Sequence, residues 1–303
     1  MITYRDLTNK SKNVEDLLLS KGILTSPIVG RYKYYQKLVS ELSLHWEAQT
    51  IDRFWKTISG DKMGFASKEL HELSDILENI ALTYDDLSEE SKTFIKNKIP
   101  TILSGTNFTV DETPNNSAAR NYQFELRLAS KFVTAQYKNI SFAEHPDLLV
   151  TVESRPYAFE CKRILGNPEK KISSNIEAAI DQLRTNSNAY YSGVVAVDLS
   201  PQYEQGKNWL VSKSREEANK IALDSLEQVA NSIYRRMSKI KRSAEDGILV
   251  GIILNLSTVY VISSNNELGW LQEIGVLLLN KENPEKGTQF FEDVKKLQKY
   301  TIP

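Results

Sequence analysis

Apolar residues recur at helical spacing through the first third of the chain. The predicted helices cover residues 12–21, 29–58 as one helix or two, and 67–82 with Ser67 as the cap. A further helix is predicted in the segment that Ser88 caps and Pro100 kinks or ends. No strand-like alternation precedes the polar, turn-rich residues 105–118, which are the predicted linker. The pattern therefore predicts an all-helical N-terminal region over residues 1–110.

Beyond this linker, helical periodicity alternates with apolar runs typical of strands. The predicted helices are 119–137, 173–187 and 216–241, and the predicted strands are 148–152, 157–164, 194–200, 248–256 and 259–263. A last apolar segment covers residues 270–279. A strand, a helix and a fully apolar strand in succession are typical of a parallel β-α-β unit. The pattern predicts a mixed α/β domain over residues 119–303.

The composition of the chain excludes several kinds of site and several classes of protein. Hydrophobic content of 41% and charged content of 25% are typical of a soluble globular protein. The single cysteine excludes an internal disulfide and a thiolate zinc cluster, and three histidines disfavour a multi-histidine metal site. The N-terminus has no apolar signal segment, and the longest apolar stretch, 248–262, is too short for a membrane span. We expect a cytoplasmic protein without membrane contact.

Net charge is −1, which is no general signature of nucleic-acid binding. The clearest basic segment contains Arg235, Arg236, Lys239, Lys241 and Arg242. Three of these follow i, i+4, i+7 spacing and would line one helical face. The segment is either a solvated face or a phosphate-contacting surface.

The most informative stretch is residues 145–164, HPDLLVTVESRPYAFECKRI. Asp147 opens the first strand, and alternation places Glu160 and Lys162 on one face of the second. A hairpin can bring Asp147 beside Glu160. Two carboxylates beside an ammonium suit Mg²⁺, with Mn²⁺ as an alternative, and such a cation suits phosphate-ester chemistry.

These residues are part of a longer resemblance. Glu125 in a helix, Pro146-Asp147, Glu160-Cys161-Lys162 and a helix bearing Gln182 together resemble the PD-(D/E)xK nuclease superfamily, which includes restriction endonucleases and archaeal junction resolvases. The resemblance covers roughly residues 119–200. It implies a restriction-endonuclease-like fold, with a mixed sheet flanked by helices.

The resemblance also implies roles for individual residues. Asp147 and Glu160 would bind one or two Mg²⁺ ions, helped by the backbone carbonyl of Cys161. Lys162 would orient the attacking water and offset charge on the phosphate. Glu125 would complete the metal shell, and Gln182 would help to hold the site.

The function implied is metal-dependent hydrolysis of phosphodiester bonds by an endonuclease, in DNA rather than RNA, for restriction, anti-phage defence or repair. The helical N-terminal region would recognise substrate, form a homodimer or contact a protein partner. Two alternatives remain open. One is a catalytically inactive protein of the same fold that binds nucleic acid or acts as a scaffold, and the other is a non-nuclease α/β protein.

Each candidate residue also has a structural interpretation. Asp147 after proline could simply start a strand, and Glu160 and Lys162 could form an exposed ion pair. Glu125 could be a helix-surface acid paired with a nearby arginine, and Gln182 could lie on a plain helix surface.

Two further residues, His145 before the motif and Cys161 within it, have structural interpretations as well. A lone histidine such as His145 in a loop is more often structural than a ligand or base. Strand alternation predicts that the side chain of Cys161 lies in the core, on the face of the strand opposite to Glu160.

Overall fold

The chain folds into two units, Met1–Ser130 and Lys131–Pro303. A computed structural model describes residues 3–54, 56–113, 115–137, 139–165, 168–185, 190–204, 210–236, 238–263, 267–279 and 283–298. None of the helices in these ranges combines the length and the apolar composition that a membrane crossing requires.

The first unit is helical, as predicted, and contains no strand among its described residues. Its helices are α1 (Tyr4–Ser20), α2 (Arg31–Glu47), α3 (Ile51–Phe54), α4 (Gly60–Thr83), α5 (Glu89–Ser104) and α6 (Ala118–Thr134), the last of which continues into the second unit. The side chain of Ser88 caps α5 by accepting a hydrogen bond from the backbone N–H of Ser91 at 3.2 Å, which confirms the predicted cap.

Three predicted helices of this unit have different outcomes. Residues 29–58 contain two helices, α2 and α3, which is one of the two predicted arrangements, and Gln49 between them adopts a positive φ of 55°. Ser67 is buried inside α4 and caps nothing, because the buried residues Met63, Phe65 and Ala66 extend the inner face of the helix toward Gly60. Helix α5 continues through Pro100 to Ser104.

A buried network of charges links α2, α4 and α6 in this unit. Glu69 lies 2.6 Å from Arg120, 3.5 Å from Arg31 and 3.4 Å from Lys68, and the side chains of this cluster are at most 5% exposed. Burial alone would raise the pKa of Glu69, but the surrounding cations outweigh it and hold that pKa well below its usual range.

This network explains where the two units divide. The first turns of α6 supply Arg120 and Arg127 to it, and Arg127 donates to Glu72 at 2.7 Å. The start of α6 therefore belongs with the helical unit. As a result the division falls at Ser130 rather than in the predicted linker, residues 105–118.

The second unit is built on a seven-stranded mixed sheet, as the sequence predicted at the level of fold class. Its strands are β1 (Asn139–Phe142), β2 (Leu148–Val152), β3 (Arg155–Arg163), β4 (Ser192–Asp198), β5 (Leu210–Ser212), β6 (Leu249–Ile262) and β7 (Glu267–Leu278). Its helices after α6 are α7 (Pro168–Thr185), α8 (Ser200–Glu204), α9 (Arg215–Arg236), α10 (Ser238–Glu245) and α11 (Pro284–Gln298).

Strand directions divide the sheet into two parts. Strands β1, β2 and β3 form an antiparallel meander, whereas β3, β4 and β6 are parallel neighbours. Strand β5 is parallel to the far end of β6, and β7 pairs antiparallel with β6. The β3–α7–β4 unit is the predicted parallel pair. The apolar runs expected as two strands over 248–263 form one continuous strand, β6.

The β2–β3 hairpin turns more tightly than the four-residue break predicted. Val152 pairs with Arg155, so only Glu153 and Ser154 lie in the turn. Both have positive φ values, 47° and 76°, as tight hairpin turns of the primed type require. This turn fixes a register in which Leu148 faces Phe159.

Apolar side chains fix the sheet against helices on both faces. On one face, Ile176 and Ile180 of α7 share a fully buried cluster with Val195 and Val197 of β4. On the other, the Phe290 ring of α11 packs against Tyr157, with ring centroids 5.4 Å apart. These contacts hold β3 in the centre of a rigid layer.

We predict that Glu69→Gln destabilises the protein by about 3–5 kcal/mol, because the neutral amide leaves several buried cations without their counter-charge. Urea unfolding of the full chain, followed by circular dichroism, measures this. The control is Glu41→Gln on α2, whose side chain is 45% exposed and lies 3.8 Å from Lys37. That change should cost about 1 kcal/mol or less. Equal losses in the two variants would contradict the prediction.

Candidate metal centre

The β2–β3 hairpin brings Asp147, Glu160 and Lys162 together at one place in the second unit. Asp147 directly precedes Leu148, whose strand partner is Phe159, so Asp147 stands beside Glu160. The backbone N–H of Cys161 donates to Asp147 Oδ2 at 2.7 Å. Lys162 Nζ lies 3.4 Å from Glu160 Oε2. Strand alternation thus puts both carboxylates and the ammonium on one patch.

His145 belongs to the same group. One potential ligand atom from each of His145, Asp147 and Glu160 lies within 4.8 Å of the other two. His145 Nδ1 is 3.6 Å from Glu160 Oε1. The side chains differ in exposure, 54% for the histidine and 1% for the glutamate. The group therefore combines a buried carboxylate, that of Glu160, with the solvent-exposed imidazole of His145.

Burial raises the pKa of both carboxyls. The pKa of Glu160 rises from an ordinary 4.5 to about 7, because of its burial and then the charge of Asp147, against the opposing effects of Lys162 and His145. Burial also raises the pKa of Asp147, and the hydrogen bond from Cys161 only partly offsets this. Two adjacent carboxylates that resist ionisation together would be stabilised by a cation.

One oxygen of Glu160 has no hydrogen-bond partner within the described part of the chain. This atom, Oε1, is buried and lies 3.6 Å from His145 Nδ1. Buried polar atoms in proteins are normally paired, so a bound cation would supply the contact that this carboxylate oxygen lacks. The donor set, two carboxylates and one imidazole, fits a divalent cation.

Gln182 lies on α7, which packs against β3. Its Oε1 is a second buried oxygen that has no hydrogen-bond partner among the described residues. Tyr190, after the helix, donates its hydroxyl proton to the carbonyl of Leu183. Burial and the negative charge of Glu160 raise the pKa of Tyr190 to about 12. Tyr190 is thus a neighbour of the site, although its spacing of eight residues from Gln182 gave it no predicted role.

Glu125 and Cys161 are two further residues with predicted roles at the site. Glu125 is buried in the part of α6 that belongs to the first unit, and its role as a metal ligand stays a prediction. Cys161 is half-buried, so its predicted place in the core is wrong, because the last three residues of β3 emerge from the fully covered part of the strand. The backbone carbonyl of Cys161 as a metal ligand also stays a prediction.

The basic segment lies on two described helical stretches, α9 up to Arg236 and α10 from Ser238. Residue 237 between them lies outside the described residues, so a continuous helix with an i, i+4, i+7 basic face stays a prediction. The side chains of Arg235, Arg236 and Lys239 lie outside the described residues. Arg242 is exposed on α10.

A second polar cluster lies at the carboxyl ends of the parallel strands and was not predicted. Asp198, at the end of β4, lies 3.3 Å from Arg163 and accepts from Asn255 at 2.9 Å and from the Ser200 hydroxyl at 2.5 Å. Both oxygens of this buried carboxylate have partners. The cluster is therefore a structural network that ties β3, β4 and β6 together.

No protein-family model, no curated protein and no solved structure matches this chain. The interpretation of the metal centre therefore depends on its own geometry and chemistry.

We predict that Glu160→Gln stabilises the metal-free protein at pH 8 by about 1–2 kcal/mol and has a smaller effect at pH 5. The folded-state pKa of Glu160 exceeds the unfolded value, so the wild type loses stability as pH rises from about 4.5 to about 7. A glutamine cannot ionise and lacks this loss.

Urea unfolding in EDTA at the two pH values measures the difference. Glu144→Gln is the control, since Glu144 is an exposed acid of the same loop. If the wild type and Glu160→Gln lose stability in parallel between pH 5 and pH 8, the prediction is wrong.

Proposed function

We propose that this protein is a metal-dependent nuclease that hydrolyses phosphodiester bonds in DNA. The observation that carries the proposal is that Glu160 Oε1 is buried and has no hydrogen-bond partner within the described residues. Glu160 lies beside Asp147, and its other oxygen, Oε2, is 3.4 Å from Lys162 Nζ. A cation held by carboxylates with an ammonium alongside is the arrangement that suits a phosphate ester.

The chain's own residues would divide the chemistry between them. Asp147 and Glu160 would hold one or two Mg²⁺ ions, with the Cys161 carbonyl as a further oxygen ligand. A bound cation supplies a Lewis acid and lowers the pKa of a coordinated water. The Lys162 side chain is 19% exposed, so its ammonium can reach a phosphate oxygen or a water while it stays close to Glu160.

The order of elements supports a restriction-endonuclease-like fold for the second unit. Helix α6 is followed by the β1–β2–β3 meander, by α7 and by the buried parallel strand β4. This is the order in which the resemblance to the PD-(D/E)xK superfamily places its acidic helix, its aspartate, its Glu-x-Lys strand and its glutamine-bearing helix. We assign the supporting role to Gln182 in this proposal, and the role of Glu125 in the metal shell stays a prediction.

The remaining parts of the proposal concern substrate and setting. DNA rather than RNA is the proposed substrate, and Arg242 with its basic neighbours is the proposed phosphate contact. The first unit would recognise substrate, form a homodimer or bind a protein partner. Restriction, anti-phage defence or repair in the cytoplasm is the proposed setting.

Cleavage of supercoiled plasmid and of single-stranded DNA, with Mg²⁺, Mn²⁺ or EDTA, tests the activity. We expect cleavage that EDTA abolishes. Lys162→Ala and Asp147→Asn should each reduce the rate by about a hundredfold or more, as the loss of one charge-stabilising group does at other sites. Lys220→Ala, which removes an exposed lysine of α9, is the control and should cut at the wild-type rate.

A wild-type protein that binds DNA but cuts neither DNA nor RNA under these conditions would overturn the nuclease proposal. It would favour a binding or scaffold role instead. Equal cleavage by the wild type and Lys162→Ala would overturn the assigned role of the lysine.

A further inference from the structure

His145 occupies the loop between β1 and β2, two residues before Asp147. Its Nδ1 lies 3.6 Å from the orphaned Oε1 of Glu160. Two atoms that each bond one ion at about 2.1 Å lie at most about 4.2 Å apart. The histidine nitrogen and the glutamate oxygen are therefore already spaced as two ligands of one cation.

A purely structural role gives little account of this histidine. Its side chain is 54% exposed, so packing does not hold it. Within the described residues its ring makes no hydrogen bond, and it lies close to the carboxylates of Glu160 and Asp147. Both observations place the imidazole where it faces the site rather than the core.

We infer that His145 is a ligand of the cation at Asp147 and Glu160, and that it makes the site select first-row transition-metal dications over Mg²⁺. This inference rests on the metal centre of the proposed function. Mg²⁺ prefers oxygen ligands and keeps several waters, whereas imidazole nitrogen favours transition metals. Adding a nitrogen ligand to a site with two carboxylates therefore shifts its metal preference from Mg²⁺ toward transition-metal ions.

Binding of Mn²⁺ to the full chain, followed by electron paramagnetic resonance and isothermal titration calorimetry, tests this without reference to activity. Competition against bound Mn²⁺ gives the Mg²⁺ affinity. We expect His145→Ala to weaken Mn²⁺ binding by about tenfold or more, with a smaller change for Mg²⁺. His145→Asn places an amide oxygen where Nδ1 stands, so it should retain Mg²⁺ binding and lower the preference for Mn²⁺.

The matched control is Glu144→Gln, which alters the adjacent exposed residue and should leave both affinities near the wild-type values. Circular dichroism and thermal unfolding in EDTA verify that each variant folds. Mn²⁺ binding that is unchanged in His145→Ala but lost in Asp147→Asn would overturn the inference and leave the nuclease proposal standing.

The two proposals fail in different ways. A wild type that binds Mn²⁺ through His145 but cuts no nucleic acid would support the ligand assignment and overturn the nuclease function. A wild type that binds neither cation would overturn the ligand assignment together with the metal centre.

Discussion

The register of the β2–β3 hairpin is the constraint on which the candidate site depends. Because side chains alternate along a strand, a slip of one residue would turn Glu160 and Lys162 to the other face of the sheet. The tight turn at Glu153 and Ser154 sets this register, and the buried partners Leu148 and Phe159 oppose any slip. The hydrophobic core thus positions the polar chemistry.

The same constraint makes the metal-free site unfavourable. Residues on both sides of Glu160 in β3 are held by a sheet whose faces are covered by apolar side chains, so the glutamate cannot turn away to reach water. Its carboxylate remains beside that of Asp147, and both have a raised pKa as a consequence. Buried polar groups that lack a full set of hydrogen bonds are expected at functional sites, where the stability of the rest of the fold compensates for their cost.

The sequence predicted the site's carboxylates and lysine because their placement follows from local rules of strand alternation and hairpin closure. It also predicted the helical first unit and the β3–α7–β4 pair, which follow from hydrophobic periodicity. It did not predict the contact of His145 with Glu160, since loop conformation has no periodic signal. Nor did it predict the end of the first unit, because Glu69 and Arg120 are far apart in the sequence and only tertiary packing joins them.

Three buried acids show how a structural charge differs from a functional one. Glu69 is surrounded by cations that lower its pKa, and Asp198 has partners on both oxygens. Glu160 is as buried as either, yet its charged neighbours include a second carboxylate, its pKa is raised, and its Oε1 accepts no hydrogen bond within the described chain. A buried acid whose charges are fully paired is accounted for by the fold, whereas a buried acid with a raised pKa and an incomplete set of partners is a candidate for a functional group. Of these three acids, Glu160 is therefore the one on which the proposed cation site rests.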